Sequence, residues 1–329
     1  MRHSMALVPL VTALVRPLVP RSLRPRVAEK VYTAQLLAQG GPATFAAVVQ
    51  AWRPHVAASA LVGAAVLATG RRTRSLAAGL AAAGLAAGAP VVHRAARRPG
   101  ATPGPGDVTV LTANVWHGQA DSGALAAVVA DERPDFVVLP EAGADFRDKL
   151  MPLLAGLGYR AWVASGGRHR DGHDVVLLVG EGAGDVRVQP GRGLRLPHLE
   201  VTGGILGART LYAVHPTAPM SRSSTAWWHD ELALIGSWCA GPVEPLVAGD
   251  FNATFDHPAL RAALGRCRSA ADGTGRGLVG TFPAGVPRWL GIQIDHVLVP
   301  AAAVTTRFDV LDLAGTDHRA VLARVRLPG

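Results

Sequence analysis

Apolar positions are distributed differently in the two parts of the chain, and the first part carries them in long stretches. Residues 54–70 and 75–92 contain no Asp, Glu, Lys or Arg, and Arg71, Arg72 and Arg74 separate them. At 17 and 18 residues, both stretches are slightly shorter than the roughly 20 residues that cross a bilayer. The pattern predicts a hairpin of two membrane-spanning helices. Because Ala and Gly are only weakly apolar, the alternative is a soluble helical pair with an Ala-rich core.

Two earlier apolar segments, residues 4–15 and 31–52, are weaker candidates for membrane helices. The first is short, and the second contains three glutamines and a Gly-Gly-Pro break. A cleaved signal peptide is poorly supported, because Arg16 and three prolines follow the first segment without a clear small-residue cleavage site.

Beyond residue 106 the apolar runs are short and separated by polar residues, which predicts stacked layers of strands and helices. A Pro/Gly-rich linker over residues 99–106 divides a helical region, 1–98, from a domain over 107–329. In that domain we predict strands over 108–113, 135–139, 174–179, 209–214, 244–248, 294–299, 305–311 and 320–327, and helices over 122–130, 144–157, 224–239 and 257–264.

The charge is as uneven as the hydropathy. The 329 residues carry a net charge of +9, but residues 1–106 alone hold 13 Arg and Lys against one acid. The remaining 20 basic and 23 acidic residues leave the second part mildly acidic, at −3. A basic chain usually points to nucleic acid, and this division weakens that interpretation for the second part. The two cysteines, Cys239 and Cys267, form either one disulfide outside the cytoplasm or two buried thiols.

The stretch Val247-Ala248-Gly249-Asp250-Phe251-Asn252-Ala253-Thr254 is the first candidate for chemistry. An apolar run, predicted as a buried strand, leads into it, and residues two apart on a strand point to one side. A carboxylate and a carboxamide therefore leave the same end of a sheet together. The pair suits phosphoester hydrolysis, because the carboxylate can orient or deprotonate a water while the amide holds a phosphate oxygen. The alternative is an ordinary turn.

Five further polar motifs lie at the ends of apolar runs: Thr112-Ala113-Asn114-Val115-Trp116, Leu139-Pro140-Glu141, Ala213-Val214-His215-Pro216, Ile294-Asp295-His296 and Gly315-Thr316-Asp317-His318. The six motifs occur in an order that resembles the endonuclease/exonuclease/phosphatase superfamily, with its deoxyribonuclease-I-like fold, over about residues 108–327. The resemblance implies an α/β fold of two packed β-sheets flanked by helices, a four-layer α/β/β/α sandwich.

The resemblance also implies a metal site. Glu141 would bind a divalent ion, Mg²⁺ or Mn²⁺, with Asn114 beside it and Asp317 as a second carboxylate of the metal or phosphate site. Mg²⁺ keeps several waters and uses only one or two protein carboxylates, which suits this set. The chain has Leu-Pro-Glu where Leu-Gln-Glu is commoner in the family, so the carboxylate is kept and a neighbouring amide is lost.

The remaining matched residues are implied to be catalytic. Asp250 matches the aspartate that orients or activates the attacking water, and Asn252 matches the partner that contacts the phosphate. His215 matches the histidine that stabilises the phosphoryl oxygens or protonates the leaving group. Asp295 and His318 would form a carboxylate–imidazole pair, in which the carboxylate fixes the tautomer and raises the basicity of the ring.

Asp174 is the implied partner of His215. The segment Val-His-Pro-Thr-Ala-Pro is similar to the deoxyribonuclease branch, in which an acidic residue before an inner strand pairs with this histidine. We expect Trp228 and Trp289 to pack between layers. The other histidines considered are interpreted as ordinary surface or core residues: His3, His55, His93, His169, His198, His229, His257 and His296.

These features predict a membrane-tethered, divalent-metal-dependent phosphoesterase with no obligate protein partner. Nucleic acid is the first candidate substrate, because residues 215–219 resemble a nuclease. A phospholipid or inositol-phosphate ester is the alternative, because the domain lacks a basic stripe for DNA. A third alternative is a membrane-attached pseudoenzyme that binds a phosphorylated ligand, against which the intact set of polar residues argues.

The expected location is the cell membrane, with the second domain outside the cytoplasm. Placing Arg71, Arg72 and Arg74 on the inner side puts both ends of the hairpin outside. Three arginines after the second stretch, at its other end, argue the opposite with the same count.

Overall fold

The computed structural model describes residues 40–98, 100–167 and 171–328. The apolar segment over residues 4–15 and the first part of 31–52 lie outside these residues. The described N-terminal part contains three helices, α1 (Pro42–Ala51), α2 (Arg53–Ala68) and α3 (Arg74–Ala95). Prolines near the start of α1 and α2 suit positions where a backbone N–H has no helical partner.

Helices α2 and α3 form the predicted hairpin, with the three arginines at its tip. Small residues let the two helices approach closely: a Cβ on Gly84 would lie 2.9 Å from Leu61 Cγ and 3.2 Å from the Ala57 carbonyl oxygen. In the described part of the chain, α3 is the one helix long and apolar enough to cross a membrane. Helix α2, with 16 residues, is shorter than a span requires.

The hairpin leaves much of its apolar surface uncovered by protein. Only 17% of the most apolar stretch of α3 is buried. Large apolar side chains project from both helices, and their exposed fractions run from 38% to 69%: Val56, Leu61, Val62, Val66, Leu76, Leu85 and Val92. In soluble proteins, exposed apolar patches of this kind commonly mark contact with a membrane or with a protein partner.

The second part of the chain is a sandwich of two sheets with helices outside them. Its strands are β1 (Val108–Thr112), β2 (Phe136–Pro140), β3 (Arg160–Ala164), β4 (Val175–Val179), β5 (Val186–Pro190), β6 (Leu199–Gly203), β7 (Thr210–Val214), β8 (Leu246–Asp250), β9 (Cys267–Ser269), β10 (Asp295–Pro300), β11 (Val304–Leu311) and β12 (Ala320–Arg326). Its helices are α4 (Ser122–Glu132), α5 (Ala144–Leu150), α6 (Arg222–Cys239) and α7 (Pro258–Ala262).

The two sheets are built alike. Their strand orders are β11-β12-β1-β2-β4-β3 and β5-β6-β7-β8-β10-β9. Each contains one parallel pair, β1 with β2 and β7 with β8, joined by a crossover helix, α4 or α6, and the other neighbours are antiparallel. One apolar core fills the space between the sheets. Two further cores lie outside it, one between each sheet and the helices that cover that sheet. The predicted four-layer sandwich is confirmed.

Several elements differ from the prediction. Strands β3, β5, β6 and β9 lie where no strand was predicted; β3, β5 and β9 are edge strands, and their neighbouring sequences are rich in Gly, Pro and Arg. Helix α5 ends at Leu150 and continues as a 3₁₀ turn, Met151–Leu154, because Pro152 has no backbone N–H to give to a longer helix. The longer helix over 144–157 was therefore wrong.

Aromatic and sulfur side chains fix the outer layer of the second sheet. Trp228 is buried between α6 and the loop after β8, and its indole N–H donates to the Phe251 carbonyl at 3.2 Å. Trp289 does not pack between layers as expected; it is 73% exposed. Cys239 and Cys267 form a disulfide between the end of α6 and β9, with Cα atoms 5.5 Å apart.

The hairpin is joined to the sandwich by buried polar contacts. Arg94, near the end of α3, pairs with Asp256 at 2.5 Å, and Arg53 at the start of α2 lies 3.7 Å from the same carboxylate. The next residue, His257, bonds the Ala47 carbonyl through Nε2 at 2.8 Å. Asp256 and His257 belong to the loop that follows β8, so the hairpin is anchored close to the strand that carries Asp250.

Candidate active site

The parallel strand pairs of the two sheets end side by side, and four of the predicted residues lie at these ends. Asn114 and Glu141 follow β1 and β2, His215 follows β7, and Asp250 closes β8. Loops outside the carboxyl ends of parallel strands are the usual position of ligand sites in α/β sheets. The two crossover units therefore bring residues far apart in sequence to one edge of the sandwich.

The Gly-Asp-Phe-Asn segment is not an ordinary turn. Gly249 has no room for a side chain, because a Cβ there would lie 1.8 Å from the Val214 carbonyl oxygen. Asp250 Oδ1 accepts the backbone N–H of Asn252 at 2.8 Å, and Asn252 Nδ2 donates to the Pro216 carbonyl at 3.0 Å. Both side chains are thereby fixed at the strand end, next to the residue that follows His215.

Asn114 connects the carboxylates of the two sheets. Its amide N–H₂ donates to Glu141 Oε1 at 3.1 Å and to Asp250 Oδ2 at 3.0 Å, while its own oxygen accepts the backbone N–H of Trp116 at 2.9 Å. The Thr316 hydroxyl donates to the Asn114 carbonyl at 2.8 Å. Asn114 therefore positions two carboxylates through its nitrogen and turns its oxygen toward the backbone.

Asp295 and His318 form the expected pair. His318 Nδ1 lies 2.9 Å from Asp295 Oδ2, and both residues are buried. Burial alone would lower the pKa of His318, but the carboxylates of Asp295 and Asp250 outweigh it and hold the pKa well above its usual value. The two carboxylates therefore favour the protonated form of the His318 ring. Asp295 also lies opposite Asp250 in the register of β10 and β8.

Two imidazoles converge on one carboxylate oxygen. Nε2 of His215 and Nε2 of His318 each lie 3.8 Å from Asp250 Oδ2. Both rings are buried, with exposed fractions of 5% and 6%. Asp250 is thus flanked by two rings that can donate or accept protons. The three side chains are close enough to act on the same substrate atoms.

Glu141 and Asp317 supply a second pair of carboxylates. Burial would raise the pKa of Glu141, but His117, His215, Asn114 and His318 together bring it below its usual value. Glu141 is therefore ionised. Asp317 differs: burial and the neighbouring Glu141 outweigh His318 and raise its pKa to about 6.

Buried polar atoms without partners occur among the candidate residues that the structure describes. Within the described residues, Asp317 Oδ1, Asp295 Oδ1 and His215 Nδ1 have no hydrogen-bond partner. Unsatisfied buried polar atoms are rare and commonly mark a site for a ligand or an ion. A hard divalent cation would place positive charge next to the carboxylates of Glu141 and Asp317. The residues present therefore fit such an ion.

A second group of ligand atoms can also hold a metal. One atom each from Asp250, Asp295 and His318 lie within 4.8 Å of one another. Asp295 Oδ2 is already bonded to His318 Nδ1, however, and an ion among these three would compete with that pair. The site therefore offers two sets of candidate cation ligands, Glu141 with Asp317 and the trio of Asp250, Asp295 and His318.

The structure does not bring Asp174 to His215. Asp174 Oδ1 accepts the backbone N–H of Gly166 at 3.2 Å, and His215 Nδ1 has no partner among the described residues. The neighbouring Asp171 instead caps α5, accepting backbone N–H groups of Gly143 at 2.6 Å and Phe146 at 3.2 Å. Asp171 thus stabilises the loop after Glu141.

Sequence reasoning missed two contributors to the site, His117 and Thr281. His117 donates its backbone N–H to Glu141 Oε2 at 2.9 Å, and its ring lies 3.5 Å from the same oxygen. Thr281 Oγ1 accepts the backbone N–H of Asp295 at 3.2 Å, and the Phe282 ring lies 5.0 Å from that of His318. The one available signal in the sequence was for His117, which lies three residues after the predicted site residue Asn114.

Backbone conformation also marks this edge. Trp116, His117, Glu141 and Asn252 have φ values between 46° and 60°, in the left-handed region that non-glycine residues seldom adopt. Such residues concentrate where a fold positions functional groups. Here they turn the chain sharply after β1, β2 and β8, so that the polar side chains face one another.

The fold and the site together define a hydrolase that acts on phosphoester bonds. The sequence model of the endonuclease/exonuclease/phosphatase family matches residues 111–318, which include every motif that carries the site. The chain belongs to this family. None of the curated proteins compared with the chain matches it significantly.

Solved structures share the fold of the sandwich. An endonuclease/exonuclease/phosphatase from Beutenbergia cavernae is 21% identical, with a TM-score of 0.51 over 68% of this chain and 72% of that one. A humanized TDP2 from D. rerio is 15% identical, with a TM-score of 0.52 over 67% and 99%. A mannosyl-6-phosphatase from Bacteroides thetaiotaomicron is 15% identical, with a TM-score of 0.50 over 66% and 99%. At these identities the likeness shows a common fold.

Proposed function

We propose that the chain is a divalent-metal-dependent phosphodiesterase of the membrane, with nucleic acid as its first candidate substrate. The convergence of His215 and His318 on Asp250 Oδ2 carries this proposal. A diester must lose an alkoxide, which needs a proton as it leaves, while the attacking water must lose one. Two imidazoles beside one carboxylate supply groups for both transfers.

Glu141 and Asp317 are the proposed ligands of a Mg²⁺ or Mn²⁺ ion, with Asn114 holding Glu141 in place. A bound ion would polarise the phosphoryl oxygens and stabilise charge on the leaving oxygen. Asp317, whose pKa is raised to about 6, would be ionised fully when the cation is present.

Each remaining residue has a proposed role in the displacement. Asp250 orients the water and takes its proton as oxygen attacks phosphorus. Asn252 contacts a phosphoryl oxygen, and His318, held as an imidazolium by Asp295, donates to another. His215 protonates the leaving oxygen as the P–O bond breaks, which yields a monoester and an alcohol. Asp295 is a positioning residue, because it acts through His318.

The choice of substrate depends on residues around this site, since one fold serves several substrates. The His215-Pro216-Thr217-Ala218-Pro219 segment favours nucleic acid. A phospholipid is the second candidate, and a specific contact favours it. The loop that carries Phe282 over His318 continues to Trp289, which is exposed, and whose carbonyl accepts from His55 of α2 at 3.1 Å. The rim of the site therefore reaches the base of the hairpin.

Placement of the sandwich outside the cytoplasm is also proposed. Helix α3 is long enough to span, and both ends of the hairpin meet the sandwich while Arg71, Arg72 and Arg74 lie at the far tip. The positive residues would then face the cytoplasm. The Cys239–Cys267 disulfide supports the same side, because disulfides persist in oxidising compartments.

A substrate panel on the full chain in detergent micelles tests the proposal. Single-stranded DNA, RNA, a phospholipid and an inositol phosphate would each be incubated with Mg²⁺, with Mn²⁺ and with EDTA, beside an Asp250→Asn variant. Cleavage of nucleic acid that needs metal and Asp250 is expected. Turnover of the phospholipid alone would favour the second candidate. Mg²⁺ binding without turnover of any ester would identify a pseudoenzyme.

A further inference from the structure

A second polar cavity lies away from the catalytic edge, where the end of α3 meets strands β9 and β11. Its volume is 720 Å³. The basic residues of its lining come from three separate parts of the chain: His93, Arg97, Arg98, Arg268, Arg276 and Arg307. We call this the interfacial arginine cavity.

Strand β10 separates this cavity from the catalytic site. Asp295, at one end of the strand, belongs to the site, and Ala301, just past the other end at Pro300, lines the cavity. Six residues of extended strand span roughly 20 Å. The two sites therefore cannot share one phosphate group, and changes in the cavity leave the catalytic residues untouched.

Some arginines of the cavity are already committed to protein partners. Arg268 donates to the carbonyls of Ser269 and Ala303 at 2.9 Å and 2.7 Å. Arg307 forms a two-pronged pair with Glu132, outside the lining, through both terminal nitrogens. These contacts hold the two guanidinium groups in place, and the contacts of Arg268 to neutral carbonyls leave it its positive charge.

Two acids also line the cavity, and they do not balance its charge. Asp309 lies 3.6 Å from Arg276 and is bonded to Arg307. Burial raises the pKa of Asp272, although Arg268 beside it acts in the other direction. Against five arginines, these two carboxylates and Glu132 leave an excess of two positive charges.

Arg97 and Arg98 are the cations of the lining with no close carboxylate among the described residues, although Arg98 acts on Asp272 at longer range. Both are exposed, and neither has a carboxylate within 4.0 Å in the part of the chain that the structure describes. Their backbone is fixed, because Arg97 forms a β-bridge with Thr274 and the Arg98 N–H donates to the Gly273 carbonyl at 2.7 Å. The guanidinium groups therefore project from an ordered backbone with donors available for a ligand.

The position of these cations just past the end of α3 points to the ligand. Val92, 69% exposed, is the last large apolar residue of the helix, which ends at Ala95, and Arg97 and Arg98 lie in the extended chain that follows. In a bilayer, that step from apolar to basic falls at the phosphate level of the lipid headgroups. Guanidinium groups bind phosphate through two parallel hydrogen bonds.

We propose that the interfacial arginine cavity binds a phosphate-bearing anion, supplied by the headgroup of an anionic phospholipid at the outer end of α3. Arg97 and Arg98 contact the phosphate, and Arg268 provides fixed positive charge at the base of the cavity. The bound lipid fixes the height and tilt of the sandwich above the bilayer.

Binding can be measured on the full chain in detergent micelles with EDTA present, so that catalysis does not interfere. Three probes are titrated by calorimetry: a short-chain phosphatidylglycerol, the matching phosphatidylcholine, and inorganic phosphate. The test variant is Arg97→Gln with Arg98→Gln, which keeps the side-chain stems. The control is Arg187→Gln with Arg192→Gln, which removes the same charge elsewhere. Arg187 lies on β5 and Arg192 follows it, at the opposite edge of the sheet from β9.

We expect phosphatidylglycerol to bind more tightly than phosphatidylcholine, and its Kd to rise at least roughly tenfold in the test variant and not in the control. Thermal unfolding and turnover of a soluble ester should be unchanged in both variants, which separates this site from the catalytic one. Equal binding of both lipids, or a Kd unaffected by Arg97 and Arg98, would overturn the proposal. Binding of inorganic phosphate alone would overturn the lipid as its source.

Discussion

The hairpin and the catalytic edge depart from the usual arrangement of a soluble protein in opposite directions. In α2 and α3, large apolar side chains such as Val62 and Leu85 are left about two-thirds exposed. At the catalytic edge, charged groups such as Asp250, Asp295 and His318 are almost completely buried. Each arrangement costs free energy in water unless a further component offsets it.

The difference shows what each region needs. Under the proposed function, a bilayer covers the exposed apolar surface of the hairpin, and a cation and a phosphate join the buried charges of the site. The two regions meet at Asp256, in the loop after β8, which both Arg94 and Arg53 approach. Substitutions that restore the usual arrangement in either region should therefore abolish its function and leave the other intact.

Breaking the buried pair should give the largest effect. His318→Ala is expected to lower kcat by about 10²–10⁴-fold, because it removes the imidazolium beside the phosphate. Asp295→Ala should cost nearly as much, and the double variant little more than His318→Ala, since residues that act as a unit are not additive. Steady-state kinetics with a saturating soluble ester measure all three.

His229→Ala is the matched control, because His229 is an exposed histidine on α6. It should keep wild-type kcat. Independent, multiplicative losses for His318→Ala and Asp295→Ala would show that the two residues do not act together.

Removing a proposed ligand should give the next largest effect. Glu141→Gln is expected to lower kcat/KM by about a hundredfold, with partial recovery at high Mg²⁺, because one carboxylate of the cation site is lost. Calorimetric Mg²⁺ titration should show weakened binding in Glu141→Gln and in Asp317→Asn. Glu181→Gln, at an exposed position, should bind as the wild type does. Unchanged Mg²⁺ affinity in Glu141→Gln would place the ion elsewhere.

Where the two regions meet, Arg94→Ala should destabilise the fold. It leaves the buried Asp256 with only Arg53 at 3.7 Å, and breaking a buried ion pair costs about 3 kcal/mol or more. Urea unfolding of the full chain in detergent would measure this loss. Arg72→Ala, at the tip of the hairpin, removes the same charge and should cost little. Equal midpoints for the two variants would mean that the Arg94–Asp256 pair contributes no net stability.

Restoring polarity to the hairpin should release it from the bilayer. An Asp at the centre of a membrane helix costs about 2.5–3.5 kcal/mol, so Leu85→Asp should shift the chain toward the soluble fraction. Flotation with lipid vesicles measures the partition. Leu153→Asp is the control, because Leu153 is a 51% exposed leucine of the sandwich. If Leu85→Asp floats as the wild type does, α3 is not in the bilayer.

The smallest effect concerns the pH dependence of stability. Burial lowers the pKa of His296 to about 4, although its bond to the Ala253 carbonyl opposes this. The unfolded state therefore binds a proton that the folded state excludes, and stability falls as pH drops from about 6.5 toward 4. Between about pH 7 and pH 5, the wild type should lose roughly 2 kcal/mol more than His296→Gln.

Chemical unfolding at the two pH values measures that difference, and an identical loss in both proteins would contradict the assigned pKa. A His296 variant would be a poor control for the activity measurements, because the His296 side chain is tightly packed beside the site. Its ring lies between Phe251 and Phe255 and bonds the loop after Asn252, so its replacement disturbs that loop.

The sandwich was predictable because short apolar runs and six ordered motifs recur through residues 108–327. Strand β5 was missed, since it is largely exposed and the surrounding sequence is rich in Gly, Pro and Arg. A half-exposed edge strand has little hydrophobic signal, and its pairing is set by the neighbouring strand.

Within the site, residue types at strand ends predicted which groups would meet, but not how they would be bonded. Asn114 was predicted to lie beside Glu141, yet its amide nitrogen also reaches Asp250 in the other sheet. That contact depends on how the two sheets pack. The predicted partnership of Asp174 with His215 is absent for the same reason, because the loop from Asp171 folds onto α5 instead.

The most direct test of the central claim is the hydrolysis of a chromogenic phosphodiester by the full chain in micelles. Initial rates would be measured with Mg²⁺ and with EDTA, for the wild type and for Asp250→Asn. Metal-dependent release of the alcohol by the wild type is predicted, together with loss of nearly all activity in EDTA and in the variant. An undiminished rate in EDTA, or an Asp250→Asn variant as active as the wild type, would contradict the account.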